Sequence, residues 1–409
     1  MKILSLDAYF YPEIIAYTHL ETDIMNRLLR DGNDILVLCP VPTRGISDDT
    51  AKKFRSIKKE TLENGIKVHR FSAPGEKKNP IVRALRYFWC NFRQYSIATK
   101  YRDIDAIYAA STPPTQGVLC GKVAKKLSKK YGKKVPFIYN LQDVFPDSLV
   151  TTGLTKNGSL IWKIGRRIED YTYRNADKII VISESMKKNI LEKGVPEEKI
   201  VVVSNWIDTE ETKPVSKEDN ALFEEFNIPR EKFIVLYAGN FGKAQGADVV
   251  LEAAKKLKDN DNIQFVIFGG GAEFQKAKEK AEGLSNVIIN PLLPQERVSE
   301  VYSLGDVALI TCKKGVGGSG MPSKTWSIMA CNTPIIASFD TDSELAEVIE
   351  KANAGVCVEP ENADELVAEI LAMVNGKTMN FVGGRNYVLE NASKEKCTTK
   401  YVKTIKTTT

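Results

Sequence analysis

The sequence predicts an α/β protein built from two doubly wound, mainly parallel sheets facing one another across a cleft. Three observations carry that expectation. Short apolar runs alternate with longer amphipathic ones, the alternation pauses once near the middle of the chain, and glycine-rich turns follow several of the apolar runs. A length of 409 residues suits two cores better than one.

In the first half, residues 3–6, 35–38, 106–109, 137–141, 179–182 and 200–203 read as buried strands. Helical patterns at 20–29 and 118–127 lie between them, the signature of a parallel sheet covered on both faces. The stretch 205–230 is charged, contains Pro214 and Pro229, and reads as a linker with a short helix. Strands resume at 233–238, 263–268, 307–310, 334–337 and 356–358. This gives an N-terminal domain over 1–205, a second domain over 206–385, and a polar tail over 386–409 read as a helix returning to the N-terminal domain. Sheets of this kind bind ligands at the carboxyl ends of their strands.

The bulk numbers narrow the function classes. Net charge is modest at +6, and 43% hydrophobic with 27% charged residues is the composition of a folded protein. Seven cysteines form no C-x-x-C pair and read as small buried hydrophobes in a reducing compartment. Two histidines, His19 and His69, exclude a histidine-rich metal site. Met1-Lys2 leads directly into a strand, so no signal peptide is expected. No apolar run approaches the ~20 residues that span a bilayer.

One stretch breaks the rhythm. Residues 77–102 hold seven basic side chains (Lys77, Lys78, Arg83, Arg86, Arg93, Lys100, Arg102) and no acidic one, with Tyr87, Phe88, Trp89, Phe92, Tyr95 and Tyr101 interleaved. A helix with a basic face and an aromatic face suits an anionic lipid surface. The alternative is a domain-surface helix whose aromatics pack on the sheet.

The chemistry concentrates in the second half. After the strand at 307–310 the chain reads Gly315-Val316-Gly317-Gly318-Ser319-Gly320-Met321-Pro322-Ser323-Lys324 and runs into a helix. Glycines let backbone N–H groups approach an anion, a helix N-terminus adds partial positive charge, and Lys324 adds a full one. A second loop, Gly239-Asn240-Phe241-Gly242-Lys243-Ala244-Gln245-Gly246, follows the strand at 233–238 and precedes a helix near 248–257. A third, Gly269-Gly270-Gly271, follows the strand at 263–268. Three such turns in one half predict a nucleoside-diphosphate site. A competing reading stays open. Gly315-x-Gly317-x-x-Gly320, with Asp340 twenty residues on, fits a dinucleotide-binding fingerprint, although it falls late in the chain and Pro322 interrupts the helix.

In the first half, Asp143 and Asp147 follow the strand at 137–141. A carboxylate at a strand's end can accept a hydroxyl proton or orient a substrate; it can equally be a turn or helix cap beside Pro146. Asp340-Thr341-Asp342 superficially resembles a metal-binding pair but reads as a helix N-terminus. Asp31-Gly32-Asn33 ends a helix before the second strand.

These strings carry a resemblance. Tyr11-Pro12-Glu13, Asp31-Gly32-Asn33, Leu141-Gln142-Asp143-Val144-Phe145-Pro146-Asp147-Ser148, Ser204-Asn205-Trp206-Ile207-Asp208, the loop from Gly239 to Gly246 and the segment from Pro322 to Ala330 are similar to bacterial retaining nucleotide-sugar glycosyltransferases of family 4. Within that family they resemble the subgroup of capsule, O-antigen and colanic-type (L-fucosamine) transferases. The resemblance runs nearly end to end. It implies the GT-B architecture of two Rossmann-like domains, with the donor held by the C-terminal domain and the acceptor by the N-terminal one.

The resemblance further implies transfer of an N-acetylated amino or deoxyamino sugar from a UDP-sugar to a polyprenyl-diphosphate-linked saccharide, in capsule or lipopolysaccharide synthesis, with retention and without a metal. It assigns catalysis to Lys243, Lys324 and Asp143. Donor contacts fall to Gly239, Asn240, Gly242, Gly269, Gly270, Gly317, Gly318, Ser319, Gly320, Ser323 and Ser327. Acceptor contacts fall to Glu13, Ile15, His19 and Asp147. No cofactor and no nucleic acid is expected; the protein would work in the cytoplasm, peripheral to the inner membrane through 77–102. Departures are visible. Ile14-Ile15 stand where the family has a glycine pair, Asn240 and Gln245 where it has arginine and lysine, and Ser319 and Ser327 where it has paired glutamates. Serine hydrogen-bonds without charge, so a non-catalytic nucleotide-sugar-binding partner of an assembly complex stays open as a second reading.

Overall fold

The computed structural model describes every residue except 14–16, 76–79 and 152; the side chains of residues 80, 81, 151, 319, 378 and 379 are also outside the description. Ile15, Lys77 and Lys78 therefore lie outside the described residues or segment. The chain divides into two compact units, Met1–Ser204 with Cys397–Thr409, and Asn205–Lys396.

The first unit is built on β1 (Lys2–Leu6), β2 (Asp34–Pro40), β3 (Lys59–Thr61), β4 (Lys67–Phe71), β5 (Ala106–Ala110), β6 (Phe137–Leu141), β7 (Lys178–Val181) and β8 (Ile200–Val202). Their order is β3-β4-β2-β1-β5-β6-β7-β8, parallel except for the β3–β4 edge pair. β5 and β6 are buried along their whole length because helices cover both faces of the sheet, which is why they read as apolar runs. The three-residue β3 and the Lys67-Val68-His69-Arg70-Phe71 strand have no such run, and the sequence gives them no strand signal. Strand order reverses between β1 and β5, so the loops leaving those strands diverge at the carboxyl edge.

The second unit contains β9 (Phe233–Asn240), β10 (Ile263–Gly270), β11 (Val287–Pro291), β12 (Val307–Thr311), β13 (Ile335–Ser338) and β14 (Gly355–Val358). All pair in parallel in the order β11-β10-β9-β12-β13-β14, with the reversal between β9 and β12. Two apolar clusters, one on each face, hold this sheet to its helices. β11 is only half-buried, and the sequence reading passes over it.

The tail begins with the helix Gly384–Asn391, which belongs to the second unit, so the boundary set at 386 moves towards the C-terminus. In the helix Lys394–Thr408, Cys397, Tyr401 and Ile405 recur every fourth residue and are buried. The Tyr401 hydroxyl donates to Asn140 Oδ1 at 3.0 Å, and Lys406 pairs with Asp31 at 2.9 Å, which anchors this last segment in the first unit.

Candidate functional site

In the second unit, the loops leaving β9, β10 and β12 meet at the reversal of strand order, where a parallel sheet leaves room for a ligand. The β9–β10 register places Gly239 opposite Gly269 and Asn240 opposite Gly270. The Phe241 amide donates to Gly270 O at 2.6 Å, tying the two loop starts together. The β9 loop is also fixed to the end of β12, since Thr311 Oγ1 donates to Gln245 O at 2.7 Å and the Lys313 amide to Ala244 O at 3.0 Å.

Lys324 opens the seven-residue helix Lys324–Ala330 and reaches back to the end of β9. Its Nζ donates to Ala238 O at 3.3 Å and lies 4.2 Å from the centre of the Tyr237 ring. Among the described residues no carboxylate pairs with it. Burial pushes its ammonium down from 10.5 to about 8, because the charge has lost water and gained no counter-ion. Gly239 makes the approach possible: a Cβ there would stand 2.8 Å from Lys324 Nζ. A cation held at a strand end with no anion beside it is a receptor for one.

The neighbouring positions sort into ligand-facing and structural. Lys243 and Asn240 are exposed on the β9 loop. Asn240 Nδ2 donates to Gln245 Oε1 at 3.4 Å, and Gly242 leaves room for that pair, since a Cβ there would lie 2.5 Å from Gln245 Oε1. Gly269 is tight against the Phe274 and Phe241 rings and Gly270 against Leu292, so both serve close packing beneath the site. Ser323 is exposed, whereas Ser327 is buried in the helix it helps form.

The glycine loop after β12 differs from the expectation in one respect. Its amides were expected to receive phosphate, yet the Gly315 and Gly317 amides donate to the two carboxylate oxygens of Asp340, at 2.9 and 2.7 Å. Asp340 therefore braces the loop and does not cap the following helix, whose cap is Ser343, accepting from the Ala346 amide. Gly318 and Gly320 continue the loop, and Ser319 closes a short 3-10 turn with Gly317 and Gly318. The short 3-10 turn and the delayed start of the helix at Lys324 remove the continuous glycine-to-helix step that a dinucleotide fingerprint needs. Among the described residues no group of three or more His, Cys, Asp or Glu stands together as a metal site.

The first unit's candidates separate in the same way. Glu13 is buried and fully engaged: Oε1 accepts from the Thr43 and Arg44 amides at 2.7 and 2.8 Å, and Oε2 from the Phe10 amide at 3.3 Å. It shapes the loop after β1, with amide donors on both of its oxygens. Burial raises its carboxyl, against which these amides and Arg86 pull down. Asp147 is also occupied, by Lys193 at 2.7 Å and Asn189 at 3.0 Å, and Lys193 in turn pairs with the buried Glu169 at 2.9 Å. Asp143 stays exposed just past β6, and His19 is exposed on the first turn of the helix Thr18–Arg30.

The structure adds a pair that the sequence reading missed. Asp7, one residue past β1, and Glu21 are both buried and hydrogen-bonded to one another, with Ser5 Oγ donating to Asp7 at 2.8 Å. Burial lifts Asp7 to about 7 and Glu21 well above its ordinary range, so near neutrality the two share a proton. Among the described residues Glu21 Oε1 has no hydrogen-bond partner. The signal was available: Glu21 lies beside Leu20, Ile24, Met25 and Leu28 on the apolar face of its helix.

Comparison with known proteins completes the picture. The family described as "Glycosyl transferases group 1" matches residues 218–394, and "Glycosyltransferase Family 4" matches residues 22–211. A putative colanic acid biosynthesis glycosyl transferase, WcaI of Escherichia coli, is 28% identical over 71% of this chain and 72% of its own. A probable glycosyltransferase, WbjE of Pseudomonas aeruginosa, is 28% identical over 64% of this chain and 66% of its own. HepE of Anabaena, solved in complex with UDP, superposes with a TM-score of 0.70 at 16% identity, covering 100% of both chains. The two parallel-sheet units are thus the GT-B fold, and the chain is a glycosyltransferase whose first part matches family 4 and whose second part matches group 1.

Proposed function

We propose that this protein moves a sugar, of the N-acetylated amino or deoxyamino class, from a UDP-sugar to a lipid-linked saccharide in surface polysaccharide synthesis. The observation that carries the reading is the uncompensated Lys324 ammonium at the junction of the β9, β10 and β12 loops. The polysaccharide context follows from WcaI, whose name places it in colanic acid biosynthesis, and the nucleotide from HepE, solved with UDP.

In the reaction the anomeric C–O bond to the diphosphate breaks as the acceptor hydroxyl oxygen bonds to the anomeric carbon. The electron pair stays with the leaving diphosphate, which also takes the hydroxyl proton, on the same face of the sugar. The chain's task is to stabilise that growing negative charge. Lys324, with Lys243 from the exposed β9 loop, supplies it without reorganisation, and removal of such a donor is typically worth about 3–4 kcal/mol in the transition state. Ser319 and Ser327 stand at the family's glutamate positions, so the cationic groups bear the electrostatic work. Asp143 orients the acceptor, and the stretch 77–102, through its helix Pro80–Ala98, brings the protein to the inner membrane surface where that acceptor lies. Within this helix Arg86 is not a lipid-facing cation: it is 2% exposed, bound to Pro74 O and Thr43 Oγ1.

A radiochemical transfer assay over a panel of UDP-sugars, with a short-chain lipid-linked acceptor, tests the reading. Turnover with one donor is expected, and Lys324→Ala, checked for folding, should lose at least about a hundredfold. Tight UDP-sugar binding with no transfer or donor hydrolysis would establish the non-catalytic binding reading instead.

A further inference from the structure

The first unit exposes more apolar surface than the helix Pro80–Ala98 accounts for. On the helix Pro80–Ala98, Leu85, Phe88 and Phe92 are 65%, 78% and 62% exposed, with Trp89 beside them. On the helix Leu160–Asn175, Leu160, Ile161 and Ile164 are 75%, 58% and 49% exposed. The helix Gln116–Tyr131 packs against both. A groove of about 460 Å³ runs between the three, with Phe88, Phe92, Tyr95, Leu119 and Ile168 on its walls and Lys122 at its side. Helical spacing lines Ile168 up with Ile164 and Leu160, and Phe88 with Phe92 and Tyr95. The groove therefore continues into both exposed patches.

The charge around it is mainly positive; on the third helix the acidic residues are Glu169, which is buried, and Asp170, both paired with Arg166. Helices Pro80–Ala98 and Gln116–Tyr131 contain basic residues and no acidic one. Arg83, Lys122, Lys125, Lys163 and Arg167 are exposed. Crossover helices run antiparallel to the strands they connect, so their N-terminal turns lie at the carboxyl edge of the sheet. Leu160 and Ile164 lie in the first two turns of their helix, Leu85 in the second turn of its own and Phe88 one turn further on, and the loops of Glu13 and Asp143 leave the same edge.

We propose that this face docks on an anionic phospholipid bilayer through two insertion points, Phe88-Trp89-Phe92 and Leu160-Ile161-Ile164, with one lipid hydrocarbon chain seated in the groove between them. The proposal rests on the reading of a lipid-linked acceptor and adds the second insertion point and the groove. Large apolar side chains ringed by cations in excess over carboxylates fit an anionic interface better than a protein surface of balanced charge.

Sedimentation with equimolar phosphatidylglycerol and phosphatidylcholine vesicles tests it. Replacing Leu160, Ile161 and Ile164 together by Ser should lower partitioning about tenfold or more at an unchanged melting temperature. Lys122→Glu should lower it by a similar factor, since each basic residue near the surface contributes about a fivefold attraction. In Trp89→Phe/Trp206→Phe/Trp326→Phe, which leaves Trp162 as the one tryptophan, bromine on the lipid chains should quench Trp162, beside the second insertion point. Wild-type partitioning by the triple variant, or unquenched Trp162, overturns the proposal. So does a solution dimer that the triple variant abolishes while vesicle binding persists. Transfer to a short water-soluble acceptor should survive the triple substitution; if the wild-type protein transfers no sugar at all, the functional reading fails while the vesicle result stands.

Discussion

Lys324 yields a quantitative expectation for donor binding. Burial without a counter-ion sets its ammonium at about 8 in the free site. Holding the charged form there costs roughly 2–3 kcal/mol, the lower end suiting a side chain that keeps some contact with solvent. A diphosphate beside Nζ reverses the balance and draws the proton on. The protonated fraction of the free site falls from about nine-tenths at pH 7 to about one-tenth at pH 9. UDP affinity should therefore weaken about tenfold over that interval, roughly 1.4 kcal/mol. Lys324→Met keeps the volume and removes the charge. It should bind UDP about ten- to a hundredfold more weakly at pH 7, the loss of one charge-assisted hydrogen bond, and approach the wild-type affinity as pH rises. Titration calorimetry at both pH values, in two buffers of different ionisation enthalpy, reads affinity and proton uptake together. Any titration of the nucleotide is common to both proteins and cancels in the comparison. A wild-type affinity that is flat between pH 7 and 9, or a Lys324→Met protein that keeps the slope, would refute the reasoning. Stability carries the opposite sign. The unfolded chain keeps this proton to about 10.5 and the folded chain releases it near 8, so wild-type stability should rise with pH between these values relative to Lys324→Met.

Three further expectations concern neighbouring groups. Asp7 is raised to about 7, so between its unfolded value of 3.8 and that point the folded state holds the extra proton and stability falls as pH rises; Asp7→Asn should flatten the urea-unfolding profile between pH 5 and 7.5 and recover roughly 2–4 kcal/mol at the upper end. Asp340→Ala removes the acceptor of two loop amides; the β12 loop should loosen, with a melting temperature lower by a few degrees and UDP affinity reduced about tenfold, whereas unchanged affinity would separate this loop from the donor site. Gly239→Ala puts a methyl group 2.8 Å from the Lys324 ammonium, which must shift, on a backbone at φ +157° that an L side chain rarely adopts; UDP affinity should fall about three- to tenfold and the protein should lose roughly 1 kcal/mol of stability, measured by calorimetry and thermal unfolding.

Most of this architecture is written in local sequence. Strands covered on both faces are mostly apolar, and β1, β2, β5, β6, β9, β10 and β12 are therefore visible as apolar runs, broken only by polar residues such as Ser5, Asn140 and Gln264. Glycine turns after β9, β10 and β12 locate the carboxyl edge of the second sheet, and Lys324 is visible within one of them. What stayed hidden are features decided by partners far away in the chain. β3 and β4 are short, polar edge strands whose pairing depends on their neighbours. Asp340 reads as a helix cap until the Gly315 and Gly317 amides are found on it, and Glu13 as a ligand group until the Thr43 and Arg44 amides claim it. Asp7 and Glu21 stand fourteen residues apart, and only the packing of Glu21's helix on the sheet buries them together. Arg86 reads as one more surface cation, although the fold takes it inside. The sequence by itself determined which segments are buried and where glycine permits close approach, because periodicity and side-chain size are local properties. Tertiary structure decided which charges are compensated and which, like Lys324, are left waiting for an anion, because compensation depends on groups that only folding brings within hydrogen-bonding distance.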